Sequence, residues 1–332
     1  MSEVDQRAEH LIKAYKAADH EDHTRTILLA LFTHAPTPEG KAYIRGEVLK
    51  NEGDPPGMKG VADSILRKLL LPVIALGTKA HVSPSARTEI KQISLSRDNY
   101  RCVVSKAVEL SYFCKAHHFG AEQLADPSTD TPETVEWNPG DLWLPTYASH
   151  VIPLSATTKS GSWQALERFA GFRMDELQGK NISSIQNIIT LSYDIHVAFC
   201  RFLVWFELDK ASLCSFQEEF GNPLIEALPS LPGPPDGAII RLKSTDPDLP
   251  LPSMKYILLH AALAKVLRDS DMGRWVDGTL RELERMESLA TDGSHADVLA
   301  SSLHATGLES GGASAIGTPI TAPTDMDLWP YP

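Results

Sequence analysis

The chain has 332 residues, of which 42% are hydrophobic and 22% charged, so it carries enough apolar material for one large or two ordinary cores. This composition excludes a largely disordered protein. The longest apolar run, Leu69–Leu76, is far shorter than the roughly 20 residues that a membrane-spanning helix needs. Because the first ten residues are polar and acidic, without the apolar segment of a secretory leader, we expect an intracellular protein, cytoplasmic or nuclear.

The formal net charge of −12 is unevenly distributed. Residues 117–149 contain six acidic side chains and residues 288–332 contain five, and neither segment has a Lys or Arg. These two segments supply eleven of the twelve excess negative charges, so the rest of the chain is close to neutral. A near-neutral remainder permits contact with a polyanion such as DNA, although it does not by itself predict such contact.

The first 85 residues are predicted to form a helical N-terminal region. Ala8, Leu11, Ile12 and Tyr15 follow the spacing of one helix face, and a second apolar cluster lies at 27–32. A longer helix is predicted from about residue 58 to residue 76. It should kink or break at a proline, Pro72, which cannot donate to the carbonyl four residues before it.

Residues 86–215 have a different pattern and are predicted to form the central core. A short polar helix should end at Arg97-Asp98-Asn99, and residues 117–149 should form an acidic surface insertion without periodicity. The other elements predicted in this part of the chain are a strand at Tyr100–Ser105, a strand at about His150–Leu154, a helix at about Trp163–Phe172 and a buried strand at Leu203–Leu208.

Residues 216–290 are predicted to add an accessory strand and two helices. The strand falls at Ala238–Leu242, and the first helix places Leu259, Leu263, Val266 and Leu267 on one face. The second helix is expected at about Trp275–Ser288. The remaining residues, 291–332, are rich in Ser, Gly, Thr, Ala and Pro, and they are expected to form a disordered tail.

Three segments of the core occur in a characteristic order: RDNYRCVVS at 97–105, SHVIPLS at 149–155 and NISSIQNIITLSYDIHVAF at 181–199. This order resembles the HNH endonuclease family, whose members show a Cys-bearing first strand, an AHIIP-like stretch and an NGLLLS pattern followed by a histidine and a phenylalanine. Asn187 and His196 are nine residues apart, as are the second and third signature residues of that family. The resemblance covers roughly residues 88–210.

The resemblance implies a ββα-metal core, in which a two-stranded hairpin and one helix hold a divalent ion against the scissile phosphate. It implies His150 as the general base, since a histidine titrates near neutrality. It implies His196 as the metal ligand and Asn187 as an amide that fixes the loop between the strands. Residue spacing supports this layout, because Ser192 is a candidate N-cap for the helix and Ile195, Phe199 and Phe202 would form its buried stripe.

The chain departs from the family pattern at Ser149. Many members carry an Asp, Glu or His there, as a second metal ligand, and a hydroxyl is a poorer ligand for a hard cation. The ion, expected to be Mg²⁺, Mn²⁺ or a later transition metal, could be weakly held, could take a ligand from Asp194 or Asp141, or could be absent.

The expected fold is therefore α+β: a helical N-terminal region, a central ββα-metal (HNH) core and a C-terminal helical pair. The first hypothesis of function is a metal-dependent endonuclease that hydrolyses phosphodiester bonds in nucleic acid, with DNA favoured over RNA. The alternative is a degenerate HNH module that serves as a nucleic-acid or protein interaction scaffold. A metal-dependent nicking assay separates the two.

Several further residues are compatible with a site but are better explained by structure. The four cysteines lack the paired spacing of a zinc or disulfide framework, and Cys200 is expected to be a buried thiol although it could share the face of His196. His260 is expected in the core or at a partner contact. Arg97 and Arg101 could contact phosphate or form surface ion pairs.

Overall fold

The computed structural model describes residues 2–20, 22–70, 72, 84–112, 140–153, 160–177, 179–209, 213–218, 239–270 and 272. All of them belong to one compact unit, Met1–Gly278, and a second unit, Thr279–Pro332, lies outside the described residues. The predicted tail, the second C-terminal helix and most of the predicted acidic insertion also lie outside them.

The N-terminal region is helical, as predicted. Its helices are α1 (Glu3–Ala14), α2 (Thr24–His34), α3 (Pro38–Lys50) and α4 (Pro55–Ile65), and a short π-helical segment, Leu66–Leu70, continues α4. Two of these helices begin at N-cap residues. The side chains of Ser2 and Thr37 accept hydrogen bonds from backbone amides in the first turns of α1 and α3. The predicted break at Pro72 falls beside residues outside the described part of the chain.

Helix α5 (Pro84–Arg97) ends where the sequence predicted, but the predicted strand at Tyr100–Ser105 is wrong. Asn99 and Tyr100 have φ values of 56° and 55°, in the left-handed region that strands do not adopt. A tight turn follows, in which the Cys102 and Ala107 backbones are hydrogen-bonded. Arg101 and Val108 form an isolated β-bridge rather than part of a strand ladder. The apolar side chains of this segment are buried in the core without forming a strand.

Seven short strands form three small sheets within the described part of the chain. Strands β1 (Val108–Glu109) and β2 (Trp143–Leu144) are parallel, whereas β3 (Thr146–His150) and β4 (Ile188–Ser192) are antiparallel. The third sheet is antiparallel and contains β5 (Val204–Asp209), β6 (Leu213–Glu218) and β7 (Ile239–Ile240).

Two sequence-based boundaries are corrected by these strands. The strand predicted to begin at His150 ends there, and the predicted acidic insertion gives way to strand structure by Trp143. Strand β3 pairs with β4 over its whole length, whereas the VIP sequence after it carries a proline that cannot donate to a ladder. The strands predicted near residues 203–208 and 238–242 are confirmed.

The remaining described helices are α6 (Ser160–Ala170), α7 (Tyr193–Cys200) and α8 (Met254–Asp269), and 3₁₀ turns lie at Asp175–Leu177, Gly179–Ser183 and Ile185–Asn187. Helix α8 packs on both α2 and β5, and most of its side chains are buried. The α+β class is therefore confirmed. Among the described helices, none combines the length and apolar character that crossing a membrane requires.

An ion pair between consecutive residues, Arg97 and Asp98, lies in the core. The Arg97 side chain is fully buried and donates to both carboxylate oxygens of Asp98, at 2.7 Å each. It also donates to the backbone carbonyls of Ile185 and Ile188, at 2.9 Å, while the backbone amide of Thr190 donates to Asp98. The pair thus joins the end of α5 to strand β4, and the expectation that Arg97 lies at the surface is wrong.

We expect the change Arg97→Met to lower the free energy of unfolding by about 3–5 kcal/mol, because it leaves the Asp98 carboxylate buried without its cation. Urea unfolding followed by circular dichroism measures this loss. Arg173→Met is the matched control, since the Arg173–Asp175 pair is exposed and screened by water, so that its loss should change the stability little. Equal losses in the two variants would contradict a special role for the buried pair.

Candidate active site

The three predicted site residues lie on one continuous hairpin and helix. His150 ends β3 opposite Ile188, Asn187 immediately precedes β4, and β4 runs directly into α7, which carries His196. The turn from β4 to α7 is held by a hydrogen bond from the Tyr193 amide to the Pro145 carbonyl. Strand, strand and helix therefore follow in the order that the resemblance implied.

Helix α7 begins and packs largely as its sequence indicated. Ser192 occupies the N-cap position, but its buried hydroxyl makes no capping hydrogen bond. Ile195, Phe199 and Phe202 are buried, which confirms the predicted apolar stripe. The stripe turns α7 toward the core and leaves His196 half-buried at its side.

Asn187 is fully buried and ties down the long connection between the two strands. Its Oδ1 accepts a hydrogen bond from the Ile152 amide at 2.8 Å. Its Nδ2 donates to the carbonyls of Ile152 at 3.1 Å and Ile182 at 2.9 Å. The side-chain amide thus satisfies three backbone groups at once, which is the kind of hydrogen bonding that the sequence predicted for it.

His150 is half-buried at the end of β3, and its Nε2 lies 3.2 Å from the hydroxyl oxygen of Ser183. Ser183 belongs to the 3₁₀ turn that precedes Asn187. The imidazole is therefore oriented by the same connection that Asn187 holds in place.

His196 lies in a close cluster with Ser149, Cys200 and Tyr147. Its Nδ1 is 2.7 Å from the Ser149 hydroxyl oxygen and 3.5 Å from the Cys200 sulfur. The Tyr147 ring stacks on the imidazole, with centroids 5.0 Å apart and planes inclined by 10°. The residue that departs from the family pattern, Ser149, is thus a direct hydrogen-bond partner of the predicted metal ligand.

Burial keeps His196 and Cys200 uncharged near neutral pH. Desolvation lowers the pKa of His196 to about 4 and raises the pKa of the Cys200 thiol to about 12. At pH 7, His196 is therefore a neutral imidazole and Cys200 a neutral thiol, and both lie beside the Ser149 hydroxyl. A neutral imidazole keeps a lone pair that can accept a hydrogen bond or a metal ion.

The two histidines have different neighbours. Consecutive side chains of a strand leave it on opposite faces, and the contacts agree, since Ser149 meets His196 whereas His150 meets Ser183. The described contacts bring Ser149, His196 and Cys200 together, and they place His150 in a separate contact at the strand end.

The donor groups around His196 are a poor fit for Mg²⁺ or Mn²⁺, which prefer carboxylate oxygens. Asp141 is held by Arg101 at 2.6 Å, and Asp194 lies two residues before His196, a spacing at which helix side chains do not face each other. Within the described residues, no group of three or more His, Cys, Asp or Glu side chains is arranged to hold an ion. Neither alternative ligand suggested by the sequence therefore completes an ion-binding group with His196 in this part of the chain.

A further histidine, His260 of α8, packs against Phe199 of α7. Its ring stacks on Phe199, with centroids 3.8 Å apart, and its Nε2 donates to the Phe199 carbonyl at 3.1 Å. Burial lowers the pKa of His260 to about 3, and its Nδ1 has no hydrogen-bond partner among the described residues. The expectation of a core position is confirmed.

The sequence did not reveal that His260 and Tyr147 contact the predicted site elements. The two-residue alternation from Tyr147 to Ser149 placed both on one strand face and could have found Tyr147. The contact of His260 with α7 joins residues far apart in the chain and has no local signal.

We expect Asn187→Ala to destabilise the protein by about 2–4 kcal/mol, because three buried backbone groups lose their partner. Chemical unfolding measures the loss, and hydrogen exchange at the Ile152 amide should show reduced protection. Gln186→Ala removes an exposed amide side chain at the neighbouring position and should have little effect. An Asn187→Ala variant as stable as wild type would show that the connection is held by other contacts.

Comparison with known proteins agrees with the motifs. The family model described as HNH endonuclease matches residues 73–207, about two fifths of the chain. No curated protein and no solved structure matches the chain. Residues 73–207 therefore carry the sequence pattern of the HNH endonuclease family, and the resemblance predicted from the motifs is confirmed for this part of the chain.

Proposed function

We propose that this protein is an endonuclease that hydrolyses phosphodiester bonds in nucleic acid, with DNA favoured over RNA, and that β3, β4 and α7 form its ββα-metal core. The family match points to nuclease activity on nucleic acid. The observation that supports the assignment to these elements is the antiparallel hairpin that runs directly into a helix, with His150 on β3, Asn187 just before β4 and His196 on α7.

In this proposal His150 is the general base. It takes a proton from the attacking water, a task for which an imidazole is suited near neutral pH. The Ser183 hydroxyl orients the ring through Nε2, and Asn187 fixes the backbone on which Ser183 and Ile152 lie. Asn187 is therefore a positioning residue whose effect reaches the reaction through His150.

His196 is the proposed ligand for the divalent ion that nucleases of this family generally use. Its neutral imidazole is suitable, but its neighbours, Ser149 and Cys200, bring a hydroxyl and a thiol in place of a carboxylate. We therefore expect the unaltered protein to bind Mg²⁺ or Mn²⁺ weakly.

One observation favours a second candidate function, a degenerate HNH module that binds nucleic acid or protein without cleaving it. The Ser149 hydroxyl lies at hydrogen-bond distance from the His196 ring nitrogen, at a position where many members of the family carry a second metal ligand. A hydrogen bond between two neutral groups can hold the hairpin against α7 without an ion. The two functions differ in whether metal is bound and whether phosphodiester bonds are broken.

We expect His150→Ala to lower the rate of plasmid nicking by at least about 100-fold, the contribution typical of a positioned general base. Circular dichroism should show an unchanged fold, because the side chain is only half-buried. His10→Ala, which alters an exposed histidine of α1, is the matched control and should cleave like wild type. Cleavage by His150→Ala at the wild-type rate would remove His150 from the mechanism.

Ser149→Asp tests the metal site, with Ser149→Asn as a control of the same size and without charge. A carboxylate beside His196 should tighten Mn²⁺ binding at least about tenfold and raise nicking at low metal concentration, whereas the asparagine should do neither. Calorimetric titration of Mn²⁺ into both variants and wild type measures the effect. Adding His196→Ala to Ser149→Asp should abolish the gain.

Absence of Mn²⁺ binding in wild type and in both variants would overturn the metal-dependent mechanism and support the degenerate module. Loss of structure in Ser149→Asp but not in Ser149→Asn would support the degenerate module as well, since it would show that residue 149 tolerates a larger side chain but not an uncompensated buried charge.

A further inference from the structure

Two exposed tyrosines stand beside the proposed site. Tyr147 is 41% exposed and Tyr193 is 52% exposed, although both are large and partly apolar. Their ring centroids are 5.4 Å apart, with planes inclined by 49°. The other large exposed hydrophobic side chains among the described residues are Val4, Leu110, Leu142 and Leu251, so these two are the aromatic members of that group.

Their position links them to the cluster around His196. Tyr147 lies on β3 two residues before Ser149, and one face of its ring stacks on the His196 imidazole. Tyr193 is the first residue of α7, three residues before His196, a spacing that places both side chains on one side of the helix. The two rings therefore form a continuous aromatic surface that leads from solvent to His196.

An exposed aromatic surface of this kind suits a nucleobase. Every base has a flat π face, and stacking on tyrosine stabilises bound single strands without a strong sequence preference. In a duplex, the faces of each base are covered by its neighbours in the stack. An unpaired base, in a single strand or at a disrupted base pair, is the form that can lie on a protein ring.

The charge of the protein favours the same partner. Duplex binding ordinarily depends on many Lys and Arg contacts to phosphate, and the chain outside its two acidic segments is close to neutral rather than basic. The residue next to Tyr193 is an acid, Asp194, and Arg101 is already paired with Asp141. Stacking contributes affinity without phosphate contacts, and because the salt dependence of binding scales with the number of phosphates neutralised, a platform with few such contacts predicts a shallow salt dependence.

We propose that Tyr147 and Tyr193 form a stacking platform for an unpaired base, so that the substrate presented to the hairpin and helix is single-stranded nucleic acid. This inference rests on the proposed function for the nature of the ligand. It adds the structural class of the substrate and the side chains that select it.

Fluorescence anisotropy with labelled oligonucleotides tests the platform independently of cleavage. The probes are a thymidine oligomer of about 12 residues, a length within the range that one single-strand binding fold covers, the same oligomer with abasic sites throughout its centre, and a duplex of equal length. Tyr147→Leu and Tyr193→Leu should each weaken binding of the thymidine oligomer about 5- to 100-fold, whereas Tyr147→Phe and Tyr193→Phe keep the ring and should bind like wild type.

The abasic oligomer should bind weakly to every variant, and the salt dependence of the thymidine oligomer should be shallow. Tyr43→Leu is the matched control, since Tyr43 is a half-buried tyrosine of α3 that packs near Arg168, outside the hairpin and α7. Thermal unfolding of each variant identifies any loss of fold, and the phenylalanine variants keep the test decisive where a leucine variant is destabilised.

Leucine variants that fold and bind the thymidine oligomer like wild type would overturn the platform. If nicking still depended on His150 in that case, the proposed function would stand without it. Tighter wild-type binding to the duplex than to the single strand would also overturn the platform. Failure of the wild-type protein to bind any of the three probes would overturn the platform and the nucleic-acid function together.

Discussion

The bidentate ion pair between Arg97 and Asp98 is the interaction on which the arrangement of the core depends. A guanidinium removed from water must have all its donors satisfied nearby, and here the partners are a neighbouring carboxylate and the carbonyls of Ile185 and Ile188. Movement of β4 away from α5 would leave a buried charge without partners. The strand is therefore fixed relative to α5, and β3 is in turn fixed by its ladder with β4.

The hairpin itself is unusual because its strands are joined by residues 151–187, whereas hairpin strands are ordinarily joined by about two to five residues. Closing so long a connection has an entropic cost that local turn geometry cannot offset. The buried amide of Asn187 supplies three hydrogen bonds at the point of closure, and the Ser253 amide adds one to the carbonyl of Gln186. The long connection is thereby ordered at its return to the sheet.

The sequence predicted those elements whose pattern is local. Helices α1 and α8 follow from apolar periodicity, α2 follows from an apolar cluster, and β5 follows from a β-branched and aromatic run. The strand prediction at Tyr100–Ser105 was wrong because the same kind of run forms a buried tight turn here. The left-handed backbone of Asn99 and Tyr100, at the start of the run, has no reliable sequence signature. A high β-propensity in the sequence can therefore indicate a buried segment as well as an extended strand.

The contacts of the candidate site residues could not be predicted from the sequence. The spacing of Asn187 and His196 indicated a strand followed by a helix, which the structure contains, whereas the hydrogen bond between Ser149 and His196 depends on strand register and on the packing of α7. A carboxylate at residue 149 would have carried an obvious functional signal, but a serine is compatible with many environments. His196 and Cys200 are neutral because they are buried. This burial arises from packing between distant parts of the chain, which the local sequence pattern does not predict.

The placement of His260 makes the support of α7 sensitive to acid. Its pKa falls from an ordinary value of 6.5 in the unfolded chain to about 3 in the folded protein, so between these values the unfolded chain takes up a proton that the folded protein does not. Its contribution to stability is complete above pH 6.5 and declines as the pH falls toward 3. His196, with a pKa of about 4, adds to the same decline. Acidification therefore weakens the packing of α7 through His260, which contacts it from α8, and through His196, which joins it to β3.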